Sequence, residues 1–244
     1  KPHSITPVFH PPNPNLPAGL TLERLGNRQH LLKMLQAHSS SLDGVTLVRD
    51  WSRSRDDALS LLTSRKVRDA FDVNSVDAKI QERYGRDLFG STLLLSKRLI
   101  ENGVRMVQAH LGRGVSWDTH GDNFPLLKNK LLPPFDRALS ALLDDLKESG
   151  LLESTLVVVC SEFGRTPKVL TQQPPGRQHW PKCFSSIIAG CGIAGGNVYG
   201  KSDKTGASVT SNPVRPEELA ATIYHALDIP LNEPQNNTGI SRPL

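Results

Sequence analysis

Four side chains in this sequence have the type and surroundings for metal-assisted chemistry. Asp118 and His120 lie in the run Ser116-Trp117-Asp118-Thr119-His120-Gly121-Asp122-Asn123, Glu162 in Ser161-Glu162-Phe163-Gly164-Arg165, and His179 in Gly176-Arg177-Gln178-His179-Trp180. Two residues apart in an extended loop, Asp118 and His120 project to one side and can grip a single ion. Surface turns produce such pairs too, and a lone loop histidine is commonly incidental. It is the combination that points to chemistry. Carboxylate oxygens and imidazole nitrogens together suit zinc, manganese or calcium. Arg113, Arg165, Lys168 and Arg177 lie in the same loops and match the charge of a phosphate or sulfate group. Acid, imidazole and guanidinium side by side therefore predict hydrolysis of an anionic ester, which metals promote by polarising oxygen and activating a nucleophile.

The elements that must present these residues follow from periodicity. Residues 156–160 form a short β-branched run with three consecutive valines, which reads as a strand buried on both faces of a parallel sheet. Such strands deliver ligand-binding loops at their carboxyl ends. Glu162 sits there. A bare carboxylate at that point would cost several kcal/mol to bury, so it must be solvated, paired with Arg165 or bound to a metal. Residues 104–111 and 184–189 read as two further strands. Helical spacing of apolar residues covers 21–39, 53–62, 67–71, 88–102, 124–149 and 216–227, with Asn74 placed to cap a turn through Tyr84. Gly103 and Gly150 close two of the helices, and Pro133-Pro134 must kink or restart the long one. Three strands are few for a sheet of ordinary size, and the shortfall points to strands supplied from elsewhere.

Composition narrows the class. The chain has 244 residues, 37% hydrophobic and 22% charged, and formal charge +5. That is enough for one sizeable core, and no apolar run approaches the roughly 20 residues of a membrane span. The basic residues are scattered, which predicts a solvated surface and no nucleic-acid site. Cys160, Cys183 and Cys191 show no metal spacing and read as buried free thiols. Residues 190–195 match G-x-G-x-x-G, yet the following Gly196-Asn197-Val198-Tyr199-Gly200 cannot open the helix a dinucleotide site requires. No G-x-S-x-G, H-E-x-x-H, paired CxxC or P-loop occurs. Residues 1–20 are proline-rich and read as a linker or tether, and 231–244 as a polar tail. The chain opens Lys1-Pro2-His3 with no signal peptide, as a mature product or a piece of something longer would.

The strings SWDTHGDN, LLPPFDRALSALLDDL, SEFGRTP, GRQHWP and IIAGCGIAGGNVYGKSDKTGA closely resemble the DUF1501 family of the alkaline phosphatase-like superfamily, which includes sulfatases. The resemblance covers about residues 16–230. It implies a three-layer α/β/α sandwich around a mostly parallel sheet, of which residues 21–230 would be the C-terminal portion, and it implies export. By analogy with two-metal phosphatases of that superfamily, Asp118, His120 and His179 are similar to the ligands of one metal position, with Glu162 where an acidic ligand serves the second. Two departures stand out. Phe163 replaces a histidine ligand, and nothing in residues 1–103 resembles the half that carries the nucleophile, which is therefore expected before residue 1. The expected function is a metal-dependent phosphatase or sulfatase-like hydrolase, inactive as this chain alone. The alternative is an exported binding or surface protein that keeps the fold without the chemistry.

Overall fold

A computed structural model describes residues 9, 17–37, 51–52, 55–56, 59, 63–112, 116–171 and 173–231. These fall into two compact units, one ending at Leu111 and the other beginning at Gly112.

The first unit is helical. Helix α1 spans Leu22–Ala37, and Thr21 Oγ1 accepts from the Arg24 N–H at 3.1 Å. Of the predicted helix over 53–62, most lies outside the described residues, although Trp51, Ser52, Arg55, Asp56 and Leu59 are helical. Helix α2 is Arg65–Phe71, α3 is Ala78–Tyr84 and α4 is Leu88–Glu101. Asp77, in place of Asn74, caps α3, its carboxylate accepting from the Lys79 N–H at 2.7 Å. Asn74 lies in a short 3-10 turn, Val73–Ser75. Asp87 caps α4 by accepting from Phe89 and Gly90, which removes two of the orphan donors at a helix start. Tyr84, Phe89, Leu93, Leu94 and Leu95 make this unit's core. Gly90 lets the α3 end come close, because a Cβ there would lie 2.0 Å from the Gly85 carbonyl oxygen. Arg98 ties α4 to α2 through the carbonyls of Ala70 and Asp69. Gly103, at φ 85°, ends α4 as expected. The strand expected over 104–111 does not form: among the described residues the segment has no ladder partner, and Met106 is left 70% exposed.

The second unit carries the site. Helix α5, Asn123–Leu126, runs into one π turn, Leu127–Leu131, and helix α6, Leu132–Glu148, starts afresh at Pro133-Pro134. The π turn is how the chain absorbs two prolines without a full break. Ala138, Ala141, Leu142, Asp145 and Leu146 are buried along α6, the i, i+3, i+4, i+7, i+8 stripe of a helix packed on one face. Helix α7 is Pro216–Ala226, begun by Pro216 and by Glu218, which accepts from the Arg215 N–H at 2.7 Å.

The strands are short antiparallel pairs. Strand β1, Val157–Val159, pairs with β4, Ile187–Ala189, in the register Val158↔Ile188. Strand β2, Gly164–Arg165, pairs with β3, His179–Trp180, and β5, Lys201–Ser202, with β6, Val209–Ser211. Among the described residues the fold is thus mixed, helices with small antiparallel sheets. The valine run is a strand, but neither parallel nor buried: among the described residues β4 is its sole partner, and both of its faces stay half-open. Correspondingly Cys160 is exposed, and Cys183 and Cys191 are only half-buried, so the thiols are free but not core residues. Residues 190–195 form a turn, with Gly190, Cys191 and Gly192 at positive φ and no helix opening directly after them. No helix among the described residues is long and apolar enough to cross a membrane.

Candidate metal centre

The loop before α5 is fixed by its apolar and small polar residues. The Trp117 ring meets Phe135 of α6 edge-on at 6.0 Å, and Thr119 is buried with its hydroxyl accepting from Asn123 Nδ2 at 2.5 Å. Residues 116–120 cannot swing freely with every second side chain anchored. Asp118 and His120, the alternate positions, are left facing the opposite way, as the sequence spacing requires.

Facing them is the β2–β3 ribbon. Arg165 and His179 are directly opposite in register, and the Thr166 N–H donates to the Gln178 carbonyl at 2.8 Å while Gln178 N–H donates to Thr166 Oγ1 at 3.1 Å. Farther along, the Leu170 N–H donates to the Gly176 carbonyl at 2.9 Å. These bonds fold the proline-rich excursion into an antiparallel turn that returns His179 beside its starting strand. Gly176 packs on the His120 backbone so closely that a Cβ would lie 1.6 Å from the His120 oxygen.

The two parts converge on one carboxylate oxygen. Asp118 Oδ1 lies 2.9 Å from His120 Nε2, 2.9 Å from His179 Nε2 and 2.6 Å from Arg165 Nη2. Arg165 Nη2 also donates to the Trp117 carbonyl at 3.3 Å. His120 turns its other nitrogen, Nδ1, to Gln178 Oε1 at 2.6 Å, and the His120 and His179 rings lie 4.6 Å apart. The hydrogen bond with His179, then that from Arg165, holds the Asp118 carboxyl down from 3.8 to about 2, so it is ionised at neutral pH. Phe163 closes one side, its ring 4.4 Å from that of His179.

The donor set fits a divalent ion. Ligand atoms of Asp118, His120 and His179 all lie within 4.8 Å of one another, and metal bonds of about 2.0–2.2 Å to nitrogen and oxygen need ligand separations of roughly 3.3 Å in a tetrahedron. Opening the 2.9 Å separations by a few tenths of an ångström would reach that value. Two ring nitrogens so near one carboxylate oxygen also need positive charge between them, supplied by protons or by a cation. With side-chain exposures of 37%, 37% and 44%, the three leave one side accessible to a ligand.

The remaining predicted residues are placed differently. Glu162 is exposed and outside the converging group. Arg165 joins the site, and its Nη1 is buried with no hydrogen-bond partner. Arg177 instead lies with its guanidinium carbon 5.5 Å over the Phe124 ring. Lys168 is exposed, and Arg113 lies outside the described residues. Sequence reasoning missed Gln178 and Trp180, whose indole N–H donates to the Ala207 carbonyl at 2.8 Å. Their signal was adjacency: both flank His179 in the sequence.

Comparison with known proteins adds one finding. The family described as "Protein of unknown function (DUF1501)" matches residues 4–238. No curated protein and no solved structure matches the chain.

Proposed function

The chain belongs to the DUF1501 family, and from that premise we propose that it carries one metal position of a metal-dependent hydrolase of phosphate or sulfate esters. The observation that carries this is the meeting of Asp118, His120 and His179, from segments about sixty residues apart, around a single carboxylate oxygen. Two nitrogens and one oxygen favour zinc or manganese over calcium, which takes oxygen ligands. Bound there, a divalent ion would polarise an ester oxygen and help to activate a nucleophile. Arg165 orients Asp118 with Nη2 and keeps Nη1 for an anionic oxygen, because a buried guanidinium nitrogen without a partner is costly. Membership in an alkaline phosphatase-like superfamily, a sandwich completed by further strands, and export all belong to this same proposal. The open faces of β1 and β4 support the second of these.

The second reading, a binding or surface protein without turnover, is favoured by Phe163 against His179 and by Glu162 standing outside the cluster. Elemental analysis and zinc titration test the metal site. Wild type should hold about one ion per chain, and His179→Ala should hold none; equal stoichiometry in the two would overturn the assignment. Aryl phosphate and aryl sulfate hydrolysis, measured with zinc, manganese or calcium and again after chelation, then separates enzyme from binder.

A further inference from the structure

Resting on the metal-site assignment, we infer that Gln178 is the positioning residue that sets which nitrogen of His120 faces the ion. An imidazole can ligate through either nitrogen, and which one does so depends on the hydrogen bond made by the other. Here Nδ1 of His120 meets Gln178 Oε1 at 2.6 Å, while Nε2 faces Asp118 Oδ1 at 2.9 Å. With Nδ1–H donating to the amide oxygen, Nε2 is the nitrogen left to coordinate an ion placed between it and Asp118 Oδ1, where His179 Nε2 also arrives. Both imidazoles then offer the same nitrogen to one point.

Gln178 is held as a positioning residue must be. Its backbone is clamped on both sides by Thr166, through the carbonyl at 2.8 Å and the N–H at 3.1 Å, and its side chain is half-buried. It precedes the ligand His179 directly, so two consecutive residues supply a ligand and the partner of the opposing ligand. An amide has an oxygen acceptor and a nitrogen donor. By turning over, it can hold the ring in the same orientation whichever nitrogen carries the proton. Outer partners of this kind usually tune metal affinity by 10–100-fold.

The test compares wild type, Gln178→Leu and Gln178→Glu as the full chain, titrated with zinc alone against a chromophoric chelator. Thermal melting checks that the leucine variant, whose ladder bonds are backbone and remain, is folded. Gln178→Leu should lose about 10–100-fold in zinc affinity, and Gln178→Glu, which keeps an acceptor for Nδ1–H, should recover or exceed wild type. Nitrogen-15 shifts of zinc-loaded protein should show His120 ligating through Nε2 in wild type and through a mixture in Gln178→Leu. Leucine binding within about threefold of wild type, or Nδ1 ligation in wild type, overturns the inference while leaving the metal site standing. A wild type that takes no zinc overturns both.

Discussion

Gly176→Ala tests whether the proline-rich turn is a spacer or a support. The residue is buried, and its φ lies outside the left-handed region, so only space opposes a side chain there. An added Cβ would sit 1.6 Å from the His120 oxygen, 2.5 Å from its carbonyl carbon and 3.0 Å from Gly121 Cα. Ordinary contact demands that the first distance grow by about 1.5 Å. Either the turn retreats and strains the Leu170–Gly176 bond of 2.9 Å, or His120 moves away from Gln178 and Asp118. Both displace ligands well beyond the ~0.5 Å a functional site tolerates. Overpacking costs about 1–3 kcal/mol, and the stiffer unfolded chain returns roughly 0.4–1 kcal/mol of it. A net destabilisation of about 1–2 kcal/mol should lower the melting temperature by several degrees, with zinc affinity falling on the order of 100-fold. Gly26→Ala is the control: nothing lies within 4 Å of a Cβ in the middle of α1, so it should stabilise by up to about 1 kcal/mol and leave zinc binding alone. If Gly176→Ala melts and binds zinc like wild type, the turn does not support His120.

Asp118→Asn should abolish zinc uptake and change the acid limb of stability. Because the folded carboxyl titrates at about 2 against 3.8 unfolded, its contribution is full above pH 3.8 and lost as the pH falls toward 2. The melting difference between wild type and Asp118→Asn should be flat at neutral pH and close across that window. Asp203→Ala should loosen the β5–β6 loop, since that carboxylate accepts from the backbones of Ala207, Thr205 and Ser208 and from the Thr205 hydroxyl. Hydrogen exchange at those three amides should quicken. In wild type the same amides should lose protection as Asp203, held down to about 2 chiefly by the Ala207 N–H, protonates below pH 3.8.

The helices were largely legible because their signals are local. Leu88, Leu93, Leu94 and Leu95 announced α4, and Pro133-Pro134 announced the break before α6, since periodicity and proline act within one or two turns. The strands were legible as apolar runs but not in their pairing, which joins residues thirty positions apart, as in Val158↔Ile188. A continuous valine run looks the same whether it is central in a parallel sheet or one of two antiparallel strands. In the site, the Asp118–His120 spacing and the isolated His179 could be read as ligand candidates. Nothing local distinguished Glu162 from them, because its separation from Asp118 depends on how residues 161–163 leave β1. Gln178 offered only its adjacency to His179, because its chemistry appears only once β3 faces the His120 loop.

What brings the ligands together is therefore register rather than the end of a sheet. Arg165 and His179 face each other across β2–β3, and both reach Asp118 Oδ1 from one side of the ribbon. A slip of a single residue would turn one of them to the other face, since side chains alternate along a strand. Two residues are little ladder to prevent that slip. The Thr166–Gln178 pair of hydrogen bonds and the Leu170–Gly176 bridge extend the ladder to where slippage would break several bonds at once. Thr166 and Gln178 cannot change their pairing without carrying His179 away from the aspartate.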